Sequence, residues 1–230
     1  DVYKRQVNKT AIMLAILIST AAISWNFPSP FIVMLSYIGI FAAAIASVVT
    51  FGFWMPFIGF IINPRPYLAP KTWLVFAFGE GFFIGLISLS FETMFPGIVL
   101  EAVSLTFCVA ATLLFLYKSG IVKPSQNFVL MVCSAVFGIF LFYIGTLIYS
   151  LVTGVSPEIF SGSSNASIGL SLFIVAMAAF SLVLDFDIIE QSAEYGSPKY
   201  MEYFGAMALV TTLIWLYIEI LRLLAKFRSR

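Results

Sequence analysis

Seven long apolar stretches, separated by short links rich in proline, glycine or charge, run through the chain. They cover residues 10–25, 31–62, 72–90, 98–117, 128–151, 168–189 and 203–225. A helix needs about 20 apolar residues to cross the hydrocarbon core of a bilayer. Because an open strand cannot satisfy its backbone hydrogen bonds in lipid, we predict that all seven stretches are helices. The second stretch exceeds one straight crossing, and Pro56 predicts a kink or an interfacial segment within it.

The composition supports a membrane protein. Of the 230 residues, 61% are hydrophobic and 10% are charged, whereas a soluble domain carries about 25% charged residues. The net charge of +1 gives no reason to expect nucleic-acid binding. The chain has no histidine, which excludes Ser-His-Asp catalysis, HExxH zinc sites and imidazole pH sensors. We therefore predict an all-α integral membrane protein that is not an enzyme and holds no cofactor.

The first six residues, DVYKRQ, are expected to be non-native. The sequence does not begin with Met, and a common transposase sequencing adaptor encodes DVYKRQ in one reading frame. Residues 7–230 are then a single transmembrane domain, and the charges of Lys4 and Arg5 do not contribute to the predicted orientation in the membrane.

The basic residues of the links alternate between the two sides of the predicted membrane. Three links, residues 26–30, 91–97 and 151–167, contain no lysine or arginine. The opposite side carries Lys9, Arg65, Lys71, Lys118, Lys123 and Lys199. Because basic loops stay in the cytoplasm, this pattern places the N-terminus inside.

The C-terminal tail breaks the alternation of charge. A seventh crossing places its basic residues outside, and these residues are Arg222, Lys226, Arg228 and Arg230. Either the seventh stretch crosses despite this tail, or one late segment is re-entrant. We predict seven crossings.

Several acidic residues lie within the apolar stretches or close to their ends. A carboxylate inside a span costs several kcal/mol unless it faces protein or water, so it indicates a functional site. At 1.5 Å per residue, Glu80 lies about 12 Å and Asp185 roughly 6–9 Å from the inner ends of their stretches. We therefore predict an inner cluster of Glu80, Asp185 and Asp187. An outer cluster, which would act as a cation-concentrating vestibule, is predicted to contain Glu92, Glu101 and Glu219.

Each of these acids also has a purely structural interpretation. Asp185 and Asp187 could form the solvated end of their helix, and Glu80 could make a hydrogen bond between helices beside the GxxxG pair of Gly81 and Gly85. Glu101 lies in a first helical turn, where an acid can snorkel to the interface or complement the helix dipole. Glu219 has Arg222 as a partner at i+3.

Four stretches in order resemble the Bax inhibitor-1-like (transmembrane Bax-inhibitor-motif) family, in its bacterial branch. They are EGFFIGLISLSFE at 80–92, FPGIVLEAVSLTF at 95–107, SLVLDFDIIE at 181–190 and GAMALVTTLIWLYIEILRLL at 205–224. The resemblance implies seven helices, with the last helix in the centre of a ring of six. It also implies the bacterial cytoplasmic (inner) membrane and a pH-sensitive calcium leak, and in eukaryotic members death suppression with calcium handling.

In the leak-channel members of that family, a carboxylate pair from the sixth and seventh spans is taken as the gate. Asp185 occupies the sixth-span position, and Trp215 stands at the seventh-span position. We expect Glu80 to replace the missing acid. Two carboxyls in one dry site cannot both ionise cheaply, so Asp185 and Glu80, with Asp187 nearby, would be both the gate and the pH sensor. A basic latch on Asp185, such as Arg65, would reverse the pH dependence.

The predicted function is a pH-sensitive leak channel for Ca²⁺, with the lipid bilayer and the ion itself as partners. Hard cations take oxygen ligands, here transiently from Asp185 and Glu80, and acidic rings select cations. The alternative is a non-conducting membrane protein that regulates a protein partner, such as a membrane protease or a stress factor. An intramembrane aspartyl protease is disfavoured because Phe186 follows Asp185 and Ile188 follows Asp187, so the YD and GxGD contexts are missing.

Overall fold

The computed structural model describes residues 2–51 and 65–230, all of whose regular structure is helical. The predicted extension of the second stretch to residue 62 and the kink at Pro56 lie outside the described residues. The helices are α1 (Val2–Asn26), α2 (Pro30–Phe51), α3 (Ala69–Met94), α4 (Ile98–Lys118), α5 (Gln126–Thr153), α6 (Glu158–Ser161), α7 (Asn165–Glu194) and α8 (Tyr200–Arg228).

All of these helices except the short α6 are long and apolar enough to cross a membrane, which gives seven candidate spans. The predicted all-α fold with seven transmembrane helices is therefore confirmed. In α8, 56% of the most apolar window is buried, against 11–39% in the other six spans. The ring of six helices around α8 stays a prediction.

Several helices extend beyond the predicted apolar stretches. The segment Phe91–Met94, predicted as a turn, continues α3, and the predicted loop residues 69–71 form its first turn. Backbone hydrogen bonds continue after hydropathy falls, and Pro70 is tolerated in a first turn because its missing N–H has no intrahelical acceptor there. The links themselves use glycine where φ is positive, as at Gly97 before α4 and Gly154 after α5.

The chain forms two compact units. The first unit contains Asp1–Met94 and Asp185–Thr211, and the second unit contains Phe95–Leu184 and Thr212–Arg230. Each of the helices α7 and α8 thus contributes one part to each unit.

In the first unit, α3 packs closely against both α1 and α2 through glycines. A Cβ atom at Gly79 would collide with the backbone of Gly39 in α2. A Cβ atom at Gly81 would collide with Thr20 and Leu17 of α1, and one at Gly85 with Ser24 and Ala21. The close approach predicted from the Gly81–Gly85 pair is therefore confirmed. The helix that approaches this face is α1, and not the helix that carries Asp185. A GxxxG spacing predicts a close approach but not which helix approaches.

In the second unit, α5, α7 and α8 share an apolar core. Ile139, Ile174 and Met177 are buried together, and Trp215 of α8 packs against them. The end of α8 lies beside the start of α7, where Lys226 contacts Ser171, and beside the start of α4. In this unit, α8 therefore runs antiparallel to α7.

Candidate functional site

Glu80 lies on the enclosed face of α3, in the first unit. With about 100° between successive residues, Trp73, Phe76 and Ile84 lie within roughly 40° of it around the helix. Phe76 is 1% exposed and Ile84 is 7% exposed, and the Trp73 ring packs 5.6 Å from that of Tyr203 in α8. The exposed face of α3 is on the other side of the helix, at Leu74, Val75 and Phe78. The half-buried Glu80 side chain therefore projects toward protein rather than toward lipid.

Contacts with α8 allow the depths of Glu80 and Asp185 to be compared along their helices. Trp73 marks the level of Tyr203, and a Cβ atom at Gly205 would lie 3.1 Å from Ile189 of α7. From the level of Tyr203, seven residues of α3 lead to Glu80, a rise of about 10 Å. From the same level, two residues of α8 lead to Gly205, which adjoins Ile189 of α7, and four residues back along α7 lead to Asp185. The rise along this second path is about 9 Å. Both acids belong to the first unit, and their equal depth stays a prediction.

Asp185 and Asp187 are within α7 and not at its end, because the helix continues to Glu194. The Oδ2 atom of Asp185 is buried. Asp187 accepts a hydrogen bond of 2.6 Å from Nε2 of Gln191, one turn further along the helix. The predicted latch residue, Arg65, is exposed and directly precedes the short 3₁₀ turn Pro66–Leu68. Its latch role stays a prediction.

Another acid of the first unit, Glu202, was not among the predicted site residues. It is 4% exposed, and its carboxylate accepts a hydrogen bond of 2.7 Å from Nε of Arg5. Nearby, the Lys9 ammonium lies 4.5 Å from the centre of the Tyr203 ring. Glu202 stands in the first turn of α8, where an acid complements the helix dipole. An acid at the start of the last apolar stretch was therefore the feature of the sequence that could have identified Glu202. The non-native origin of residues 1–6 stays a prediction.

In the second unit, Glu219 is the centre of a polar cluster. Its side chain is 3% exposed, and its Oε1 atom accepts a 2.6 Å hydrogen bond from the Tyr143 hydroxyl and a 3.2 Å bond from Arg222. The Arg222 guanidinium lies 5.0 Å from the centre of the Phe160 ring and 5.8 Å from that of Tyr143. The predicted Glu219–Arg222 pair is confirmed, while Tyr143 and Phe160 had no signal in the sequence.

Glu101, another predicted vestibule residue, also has an arginine partner. Arg228 donates to its carboxylate at 2.7 Å and to the Pro96 carbonyl oxygen at 2.7 Å. Glu92 belongs to the first unit, whereas Glu101 and Glu219 belong to the second. The vestibule as a whole stays a prediction.

The remaining basic residues of the tail also have partners in the second unit. The buried Lys226 ammonium donates to the Ser171 hydroxyl at 2.8 Å and to the Ser167 carbonyl at 3.4 Å. Arg230 donates to the side-chain oxygen of Asn165. The positive charges at the end of α8 are therefore held by named groups on α4, α7 and α8 itself.

Within residues 2–51 and 65–230, no group of three or more His, Cys, Asp or Glu side chains is placed to hold a metal ion. The transient contacts of Ca²⁺ with Asp185 and Glu80 stay a prediction.

Comparison with known families identifies the chain. A model of the family described as Bax inhibitor 1 like matches residues 2–229. The chain belongs to this family. Comparisons with curated proteins and with solved structures gave no match. The resemblance inferred from the four sequence stretches is confirmed, and with its seven candidate spans the chain is a multi-pass membrane protein of the Bax inhibitor 1 like family. Trp215 packs against the apolar core of the second unit, and its correspondence to the family's seventh-span acid stays a prediction.

Proposed function

We propose that the protein is a pH-sensitive leak channel for cations, chiefly Ca²⁺, in the bacterial cytoplasmic (inner) membrane. The observation that carries this proposal is the position of Glu80, an acid in the middle of a span that faces protein and belongs to the same unit as Asp185. An acid so placed is expensive to maintain and indicates an ion or proton pathway. Membership of the Bax inhibitor 1 like family supports the same proposal.

In this mechanism, Glu80 and Asp185 form the gate. When the pair holds a proton, the two carboxyls share it and hold their helices together. When both are ionised, they repel each other and offer oxygen ligands to Ca²⁺. Four other charged groups of the first unit have contacts of their own, since Arg5 pairs with Glu202, Asp187 with Gln191, and Lys9 lies over Tyr203. In this mechanism flux rises as pH rises, and a latch of Arg65 on Asp185 would reverse that dependence.

The test is Ca²⁺ flux into proteoliposomes, measured across pH for the unaltered protein, Glu80→Gln and Asp185→Asn. We expect flux to increase with pH in the unaltered protein and each variant to flatten the profile. Glu190→Gln is the matched control, because it removes an exposed carboxylate from the same helix as Asp185. Two variants that both keep the original pH profile would exclude this gate.

The same vesicles test the alternative function. If the unaltered protein gives no more flux than protein-free vesicles at any pH, the channel proposal fails. The non-conducting interaction protein would then replace it.

A further inference from the structure

Glu219 is a buried carboxylate covered by a partly exposed cation. Its side chain is 3% exposed, while that of Arg222 is 36% exposed. Ionised, a carboxylate this enclosed needs a nearby positive charge, since burial of an unpaired charge is strongly unfavourable. The guanidinium supplies that charge and stands on the more exposed side of the pair.

We propose that Arg222 is a built-in counter-ion that occupies a divalent-cation site at Glu219. A divalent cation would bind the Glu219 carboxylate beside the Tyr143 hydroxyl, with water completing its shell of oxygen ligands. The cation can bind there only when the guanidinium moves away, because the cation and the guanidinium both require Oε1 of Glu219 or the space next to that atom. The inference rests on the proposed function, because this site would be a second, outer cation site of the same channel. Cation binding at the site is nevertheless measured without any measurement of flux.

Two aromatic rings hold the guanidinium in this blocking position. Phe160 belongs to the short helix α6, and Tyr143 belongs to α5. Their ring centres lie 5.0 and 5.8 Å from the guanidinium, within the range of a cation–π contact. Movement of α6 would therefore loosen the hold on Arg222. The link between α5 and α7 thus controls whether Glu219 is available.

Other cations of the second unit are not equivalent to Arg222. Lys226 lies on the same face of α8, two turns beyond Glu219, but its ammonium is held by Ser171 and Ser167. Arg228 pairs with Glu101, whose side chain is 52% exposed. Solvent and salt screen such an exposed pair, so its removal changes little. Arg228 therefore offers a matched control.

The experiment measures binding to the purified protein in nanodiscs of zwitterionic lipid. The probes are Ca²⁺ by calorimetry and Tb³⁺ by luminescence sensitised through nearby aromatic rings. We expect Arg222→Gln to bind Ca²⁺ at least tenfold more tightly than the unaltered protein, because a positive charge next to the site is gone. The double variant Glu219→Gln with Arg222→Gln should lose that gain. Arg228→Gln should change the affinity less than twofold.

A variant that keeps all charges protects the test against misfolding. Phe160→Ala removes one ring of the aromatic pair, and we expect a smaller gain of about twofold to fivefold. Thermal unfolding of each variant reports whether it is folded. A folded Arg222→Gln without a gain, or a gain that survives Glu219→Gln, overturns the proposal. If Arg222→Gln does not fold, an unchanged affinity in Phe160→Ala overturns it instead.

The outcome is separate from that of the channel proposal. A binding gain in Arg222→Gln together with no flux through the unaltered protein would retain the cation site and exclude the channel. Normal flux without a binding gain would exclude the Arg222 counter-ion and retain the channel.

Discussion

Glu101 and Glu219 each have an arginine partner, but the two pairs differ in their surroundings. The Glu101–Arg228 pair is partly exposed, and such pairs contribute about 0–1 kcal/mol to stability. The carboxylate of the Glu219–Arg222 pair is buried, so loss of one partner leaves an uncompensated charge and costs more. An outer mouth lined by these residues is close to neutral rather than acidic.

Neutralising both acids tests whether they influence cation entry. In Glu101→Gln with Glu219→Gln, the side chains of Arg228 and Arg222 remain without their acidic partners. The outer mouth becomes positive and repels cations, so we expect Ca²⁺ flux to fall several-fold at low ionic strength and little at high salt. Flux in proteoliposomes at two or more salt concentrations measures this, with Glu158→Gln as a control at an exposed acid of α6. Unchanged flux at every salt concentration would exclude the vestibule.

At the residue scale, the sequence predicts local partners and misses distant ones. The i, i+3 spacing on one helix was enough to predict the Glu219–Arg222 pair. Tyr143 donates to the same carboxylate across 76 residues of sequence, and no spacing rule reaches that far. Glu202 was missed for a related reason, since it lies just before the predicted apolar stretch 203–225 and only the packing buries it.

At the element scale, the position of each span follows from hydropathy, whereas its neighbours do not. An apolar window is a property of one segment, so the seven spans were predictable. The ends of the spans were less predictable, because α3 and α7 continue as hydrogen-bonded helices through polar residues. The glycines of α3 predicted a close approach, but the neighbour depends on the shape of every other helix.

Those glycines provide a test of the packing of the first unit. In Gly81→Ala, the new methyl group meets the Leu17 carbonyl oxygen and the Thr20 side chain. Because the backbone must shift, we expect a destabilisation of about 1–3 kcal/mol, measured by thermal unfolding in detergent. Gly138→Ala in α5 is the control, since nothing lies within 4 Å of its Cβ position, and there the better helix propensity should leave stability equal or higher. Equal melting temperatures for the two variants would contradict the close α1–α3 packing.

At the scale of the whole molecule, the tail determines how many times the chain crosses the membrane. The end of α8 contacts Glu101 and Pro96 near the start of α4, and Lys226 contacts Ser167 and Ser171 near the start of α7. Within the second unit α7 and α8 therefore run in opposite directions, as two successive crossings would. Of the tail's charges, Arg222 and Arg228 pair with carboxylates. Lys226 and Arg230 are held by the neutral side chains of Ser171 and Asn165.

The final prediction is therefore that α8 ends on the side of the membrane opposite to the α7–α8 link. In a protein with Cys108 and Cys133 replaced by alanine, we place a single cysteine either at exposed Ser229, beyond α8, or at Tyr195, which is 82% exposed in that link. The basic links place the Tyr195 side in the cytoplasm. We expect a membrane-impermeant thiol reagent to label Ser229→Cys in intact cells and Tyr195→Cys only after permeabilisation. If both cysteines require permeabilisation, α8 does not cross and the chain has six crossings. If the two labelling patterns are exchanged, the seven crossings remain and the orientation derived from the basic links is reversed.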